Sequence, residues 1–305
     1  MKKLVIAAGT GFLGTILLKH FQKKVNTIVI LTRTQNKSVG NVKYVHWDAE
    51  TLGDWKNEID GADVLINMTG KSVDCRYHKK NKKRILSSRI VSTKVLGEAI
   101  IQSKKPPKVW LNSSTATIYR HSLDKEMDET SGEIGTGFSV NVATTWENTF
   151  FSQNTPQTRK VALRTAIVLG KNGGALSPIV NLVKIGFGGR QGKGNQKFSW
   201  IHETDFARSL EFIIQNPSIQ GPINIVSPKP TTNTILMKTL QKILKIPIGI
   251  PLPKPLLEAG SLIIKTETEL VLKSRNVIPL KLSESGFRYT YSNLDDAIKN
   301  IIKPS

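Results

Sequence analysis

The chain has 305 residues, 39% hydrophobic and 22% charged, with one cysteine and a formal net charge of +21. That length is enough for one large or two modest domains with a full core. A lone cysteine, Cys75, excludes an intrachain disulfide and a cysteine zinc site and suits a reducing, cytoplasmic setting, and no apolar run approaches the roughly 18 residues of a membrane span.

The charge raises nucleic acid as a partner, but most of the excess is lysine scattered along the chain. The one dense cluster, Lys79, Lys80, Lys82, Lys83 and Arg84, comes with no aromatic platform and no helix-turn-helix pattern. Nucleic acid is therefore disfavoured, and the cluster reads either as a solvated helix face or as a contact for an anionic ligand.

In chain order, the apolar run Leu4–Ala8 ends in Gly9-Thr10-Gly11-Phe12-Leu13-Gly14, and a helical segment spans Gly11–Gln22. The same run follows Met1-Lys2-Lys3 but is broken by Gly-Thr-Gly without a cleavage site, so it reads as a strand and not as a secretory leader. Strand, glycine turn and helix in this order form a pyrophosphate cradle. The helix start offers free N–H groups and a positive dipole end, Gly11 lets the backbone approach the phosphates, and Gly14 lets the helix lie close on the strand. Further strands are expected at Thr27–Thr32, Val42–Trp47, Val64–Met68, Val109–Ser113 and Val161–Leu169. Helices are expected at Asp54–Ile59, Lys79–Ser103, Ser139–Phe151 and Leu176–Ile185. The alternation predicts an α/β protein, a Rossmann-type doubly wound parallel sheet covered on both faces. After about residue 170 the pattern becomes glycine-rich. Short strands follow at Phe198–Ile201 and Pro222–Val226, then a helix at Thr234–Leu244, and two or three helices with a strand at Phe287–Tyr291 over the last fifty residues. The expected division is a dinucleotide-binding domain over 1–170, which also receives strands from about 198–226, and a smaller C-terminal α+β cap over 171–305.

The second strand ends in Thr32-Arg33-Thr34-Gln35-Asn36-Lys37, with no carboxylate where NAD-binding folds hold the ribose hydroxyls. Arg33 and Lys37 suit a 2′-phosphate instead, so NADP(H) is the expected cofactor. Asp48 closes the third strand, where it can accept from an adenine amino group. Asn67, Thr69 and Gly70 close the fourth with small groups that let backbone lie against a ribose.

The glycine turn, Asn67-Met68-Thr69-Gly70, Ser113–Tyr119 and Leu163–Gly170 together resemble an extended, atypical short-chain dehydrogenase/reductase. More narrowly, Ser87–Thr93, Trp146-Glu147, Gly173–Leu176, Ser199–Asp205, Gly221–Asn224 with Pro228 and Asn233, Val277-Ile278-Pro279 and Gly286-Phe287 resemble its sugar-nucleotide-epimerase-like family over nearly the whole chain. The resemblance implies a Rossmann fold, an NADP(H) site bordered by Arg89, and a C-terminal substrate domain. It also exposes departures. Ala8 stands where the first glycine of the turn belongs. Thr115 occupies the catalytic Ser/Thr place, but the Tyr and Lys places of Tyr-x-x-x-Lys fall on Ser139 and Ala143, which cannot do that acid–base work.

Tyr119 is a candidate proton donor, pocket wall or structural residue. Arg76 and Tyr77, after the fourth strand, stand where open α/β sheets bind ligands, and Arg76 either holds an anion or pairs on the surface. Trp200 and His202 are expected near the substrate, His202 either as a ligand or as a helix cap, and Arg190 lies on a glycine loop that could form a lid or an anion contact. The residues thus predict an NADP(H)-dependent oxidoreductase or epimerase-like enzyme, with Thr115 polarising a carbonyl and Tyr119 or water supplying the proton. Its partner is a small-molecule substrate in the interdomain cleft, with no metal and no membrane, and the chain is a monomer or homodimer. The alternative is a non-catalytic NADP(H)-binding sensor or regulatory module.

Overall fold

A computed structural model describes residues 1–253, 255–257 and 273–303. Its centre is an eight-stranded sheet built from β1 (Lys3–Ala7), β2 (Thr27–Thr32), β3 (Lys37–Val39), β4 (Val42–His46), β5 (Val64–Asn67), β6 (Val109–Thr115), β7 (Arg159–Thr165) and β11 (Gly221–Ile225). The spatial order is β11-β7-β6-β5-β1-β2-β4-β3, and every pair is parallel except the β3–β4 hairpin at the edge. This is the doubly wound Rossmann arrangement expected from the alternating apolar runs.

The chain order reverses at β1, whose neighbours are β2 and β5. The crevice that forms there, beyond the carboxyl ends of the strands, is where such sheets bind ligands. Alternation of strand side chains gives each face its own core. Leu4, Ile6, Ile28 and Ile30 meet α1 (Phe12–Phe21) and α5 (Glu203–Gln215) on one side. Val5, Val29, Leu31 and Leu65 meet α2 (Lys79–Gln102) and α3 (Phe138–Phe151) on the other. A third cluster joins α4 (Leu176–Lys184), α6 (Asn233–Leu244) and α8 (Leu294–Ile302) around Trp200. The short α7 (Leu280–Glu284) adds Leu282 to the first core.

Several expected elements take a different form. The single strand expected over Val161–Leu169 breaks at Ala166, whose N–H bonds to Ile225 O at 3.1 Å. Beyond the break, β8 (Ile167–Leu169) leaves the main sheet to pair with β10 (Trp200–His202). The strand expected over Phe198–Ile201 is likewise divided between β10 and β9 (Lys197–Phe198), and β9 pairs with β12 (Thr231–Thr232). No strand forms over Phe287–Tyr291, because the N–H groups of Thr290 and Tyr291 donate to the buried Asp205 carboxylate at 2.8 and 2.7 Å and need no strand partner. The Asp54–Glu58 helix is of the tighter 3-10 kind. Part of the expected C-terminal helical region, 258–272, lies outside the described residues.

Candidate functional site

The glycine turn connects β1 to α1. Gly14 packs so closely that a β-carbon there would collide with the backbone of Gly9, and one at Gly9 would lie 2.8 Å from Ile30. A β-carbon at Gly11 would meet nothing within 4 Å. No side chain caps the start of α1 at Gly11, and its first turn holds no acidic residue. Thr10 and Gly11 are exposed, and Phe12 and Leu13 are half-buried. The turn therefore combines tight packing behind with open space in front, which fits a diphosphate on the free N–H groups of the helix. Ala8 occupies the left-handed region at φ 58°, the conformation a glycine adopts without strain.

At the end of β2, Arg33 is exposed beyond the buried Thr32. Lys37 opens β3, and its ammonium lies 4.8 Å from the centre of the Tyr44 ring. The Asp48 carboxylate accepts from the N–H groups of Glu50 and Thr51 at 2.8 and 2.9 Å and from the Thr51 hydroxyl at 2.6 Å. Slight burial opposes its charge, but the Thr51 hydrogen bonds outweigh it and hold its pKa below the usual carboxylate value.

At the end of β5, buried Asn67 donates to Asn112 Oδ1 at 2.7 Å and accepts from the Thr69 N–H at 3.0 Å, which fixes the turn into Thr69-Gly70. Thr69 Oγ1 is buried without a hydrogen-bond partner. Behind Gly70 stands Arg89 of α2. Its guanidinium carbon lies 3.0 Å from where a Gly70 β-carbon would be and 5.0 Å from the Trp146 ring centre. Its Nη1 donates to Lys71 O and Ile85 O at 3.1 and 2.8 Å. Burial pulls its pKa down to about 10, against a favourable interaction with the Tyr77 phenol.

Thr115 ends β6. Its hydroxyl accepts from the Thr117 N–H at 3.1 Å and lies 3.0 Å from Thr117 Oγ1, capping a single 3-10 turn, Ala116–Ile118. Ser139, in the first turn of α3, has a buried hydroxyl with no partner, and Ala143 one turn on is fully buried. Tyr119 is fully buried. Its hydroxyl donates to Asn224 Oδ1 and accepts from Arg164 Nη1, both at 2.9 Å. Burial pushes the phenol up despite the nearby guanidinium. Of the three roles considered for Tyr119, this geometry fits the structural one.

Sequence reasoning missed the network that holds Tyr119. Arg164 of β7 forms a two-point pair with Glu147 of α3, Ser114 donates to Glu147 at 2.5 Å, and Asn224 accepts the tyrosine proton. The signal was a charged residue at the centre of an apolar strand, Arg164, together with an acid buried beside Trp146.

The remaining candidates disperse. Trp200 is a core residue, 1% exposed, with Nε1 donating to Lys229 O at 3.2 Å. His202 takes the capping role: Nδ1 accepts from the Thr204 N–H at 3.0 Å at the start of α5, and the ring lies 3.9 Å from that of Tyr291. Arg190 is exposed on a segment tied to 250–252 by Gly189 N–Ile250 O, Leu252 N–Arg190 O and Gly192 N–Leu252 O bonds of 3.1, 3.0 and 2.8 Å. Those bonds make the segment a pinned ledge. Arg76 and Tyr77 are half-buried in the loop after β5, and the Tyr77 ring lies 5.0 Å from that of Phe138, edge to face. Among the described residues no group of three or more His, Cys, Asp and Glu side chains could hold a metal, and no helix is long and apolar enough to cross a membrane.

The profile of the NAD dependent epimerase/dehydratase family matches residues 4–226, the sheet and crevice just described. The chain belongs to that family. Residues 252–301 match a second profile, Domain of unknown function (DUF1731). Epimerase family protein YfhF of Bacillus subtilis is 32% identical over 98% of this chain and 97% of its own length. Epimerase family protein MW0731 of Staphylococcus aureus is also 32% identical, over 99% and 100%. Among solved structures, the human epimerase family protein SDR39U1 (isoform 2), crystallised with NADPH, superposes with a TM-score of 0.87 at 28% identity, covering 98% of both chains. A nucleoside-diphosphate sugar epimerase from Corynebacterium glutamicum gives 0.78 at 25% identity, over 99% of this chain and 58% of that one.

Proposed function

We propose that this family member is an NADP(H)-binding oxidoreductase or epimerase-like enzyme acting on a small polar substrate. The carrying observation is the open, uncapped start of α1 at Gly11, with the exposed cation Arg33 where a ribose-binding carboxylate would otherwise stand. In this reading Gly9, Thr10, Gly11, Phe12, Leu13 and Gly14 hold the diphosphate, Arg33 the 2′-phosphate, and Asp48, Asn67, Thr69 and Gly70 the adenine and ribose edges. The human relative solved with NADPH supports the choice of cofactor.

A bound reduced nicotinamide supplies a hydride to a carbonyl. The chain's part is to orient that carbonyl and manage its proton. Thr115 polarises the oxygen by turning its hydroxyl from Thr117 to the substrate, and the partnerless hydroxyls of Thr69 and Ser139 offer further donors. Arg76, Tyr77 and Arg190 are the proposed substrate contacts, in a cleft between the dinucleotide domain (1–170, with strands from 198–226) and the C-terminal part (171–305). The same reading gives a monomer or homodimer in a reducing cytoplasm, with no nucleic-acid partner.

A second reading, an NADP(H)-binding sensor without turnover, is favoured by one observation: Ser139 and Ala143 carry neither a phenol nor an amine. Calorimetric titration with NADPH and with NADH tests both readings. Binding that prefers NADPH, followed by NADPH oxidation in a carbonyl-substrate screen, supports the enzyme. Binding without turnover supports the sensor, and binding of neither cofactor overturns both.

A further inference from the structure

Three buried or half-buried arginines of this fold are matched to negative groups. Arg164 grips Glu147 with Nε and Nη2, the two donors that share one edge of a guanidinium. Arg208 pairs with the buried Asp205 at 2.9 Å. Arg159 spends both Nη atoms on the Ile213, Ile214 and Ile219 carbonyls at and beyond the end of α5, the negative pole of that helix.

Arg89 has no such match. It is half-buried on α2, and its Nη1 is spent on Lys71 O and Ile85 O. Among the described residues no carboxylate pairs with it, and Nε and Nη2 have no acceptor. Neither nitrogen is among the buried partnerless atoms, so both reach solvent. The guanidinium is also fixed in place. A β-carbon on Gly70 would stand 3.0, 3.1 and 3.3 Å from Cζ, Nη2 and Nη1, so one flat face lies against exposed Gly70. The Trp146 ring centre is 5.0 Å from Cζ. Holding a cation there carries a desolvation cost that two carbonyls offset only in part, and an anion on the remaining edge offsets the rest.

The place of this edge follows from the sheet order. Gly70 lies just beyond β5, which stands between β1, with its glycine turn, and β6, which ends at Thr115. Arg33 and Asp48 follow β2 and β4, on the other side of β1. Arg89 is therefore on the Thr115 half of the crevice, away from the adenine side. The neighbouring Thr69 hydroxyl, buried without a partner, adds another donor.

We propose that the Nε–Nη2 edge of Arg89 is an oxyanion site, and that the oxyanion is a carboxylate or phosphate of the substrate. The small polar substrate is then an anion. The proposal rests on the NADP(H) reading above. A guanidinium edge meets two oxygens of one carboxylate or phosphate through parallel N–H bonds, as Arg164 meets Glu147. Gly70 serves the site by lacking a side chain, since any β-carbon there would push the guanidinium aside. The cofactor's diphosphate carries the same chemistry, and the test separates the two sources.

The test follows the Nε–H signal of Arg89 by NMR of the full chain carrying isotope-labelled arginine, assigned through Arg89→Lys. Acetate, inorganic phosphate and neutral acetamide are titrated into the NADPH-loaded protein at constant ionic strength. Acetate or phosphate should move the signal along a saturating curve with a midpoint of about 1–10 mM, and acetamide should leave it in place. In the carbonyl-substrate screen, compounds bearing a carboxylate or phosphate should be reduced in preference to their neutral amides or esters. Arg89→Gln should raise KM for such an anion about 10- to 100-fold, while NADPH binds within about threefold of wild type. A signal that acetate and phosphate leave unmoved or move without saturation, or equal reduction of neutral and anionic compounds, overturns the proposal. So does a signal that shifts on addition of NADPH alone and then ignores both anions, which assigns the edge to the cofactor's diphosphate. If wild type binds neither NADPH nor NADH, the NADP(H) reading fails by itself, and the same titration of the free chain decides whether the oxyanion site exists.

Discussion

Glu147 and Arg164 form a buried two-point ion pair: Arg164 Nε lies 2.9 Å from Glu147 Oε1 and Nη2 lies 2.7 Å from Oε2, with both side chains at most 10% exposed. Burial opposes the arginine's charge, but the Glu147 hydrogen bonds and charge outweigh it and hold the guanidinium above its ordinary value. The pair joins α3 to β7, and through Tyr119 and Asn224 it reaches β11. Removing one partner strands the other charge in the interior.

Glu147→Ala is therefore expected to lower stability by about 3–5 kcal/mol. Urea unfolding followed by circular dichroism checks this. A loss below about 1 kcal/mol would show that water reaches the pair and that the network is not a structural pin.

Ala8 is strained where glycine would not be. Left-handed backbone costs an L-residue about 1–2 kcal/mol, and replacement by glycine returns part of that as unfolded-chain entropy, about 0.4–1 kcal/mol. Ala8→Gly should thus stabilise the fold by about 0.5 kcal/mol, while β-branched Ala8→Val should destabilise it by well over 1 kcal/mol. Thermal melts of the two variants should move in opposite directions, and melts that fall together would mean that the methyl of Ala8 contributes packing that outweighs its backbone cost.

The sheet was legible because its signals are local. Five buried strands announce themselves as apolar runs, and the glycine turn carries its own geometric requirement, met at Gly14 by backbone contact with Gly9. The site was less legible because its side chains are placed by contacts distant in sequence. Trp200 and His202 were expected near the substrate, yet β10, which carries both, pairs with β8, and His202 ends as a cap under Tyr291. Tyr119 lies four residues beyond Thr115, but its hydroxyl is claimed by Asn224, 105 positions later. Lys37 sits four residues from Arg33, and the unforeseen β3 hairpin carries it to Tyr44. None of these pairings leaves a periodic trace in the sequence.

Cofactor choice turns on Arg33. A charge-assisted contact to a 2′-phosphate is worth about 1.5–3 kcal/mol, or roughly 10- to 100-fold in affinity. Arg33→Ala should weaken NADPH by that factor and leave NADH nearly unchanged, whereas Lys37→Ala should weaken NADPH much less because its ammonium rests on Tyr44. Calorimetry on the two variants separates the residues, and an equal loss of both dinucleotides in Arg33→Ala would remove the assignment of the 2′-phosphate to this side chain.

His202 gives the fold a defined weakness to acid. Burial pulls its pKa down to about 4, despite the charge of Asp205 nearby, from an unfolded value of 6.5. Between those two values the unfolded chain binds a proton that the native chain does not, so stability falls as pH drops from about 6.5 and the loss levels off below about 4. The full effect is roughly 3 kcal/mol, and His121, whose pKa is also lowered by burial and by neighbouring cations, acts in the same direction. His202→Asn keeps a side-chain oxygen able to cap α5 but carries no titrating group. It should cost some stability at pH 7 through lost stacking on Tyr291, and it should flatten the decline measured by urea unfolding between about pH 6.5 and 4. An identical decline in the variant would place the acid sensitivity elsewhere, with His121 the next residue to replace.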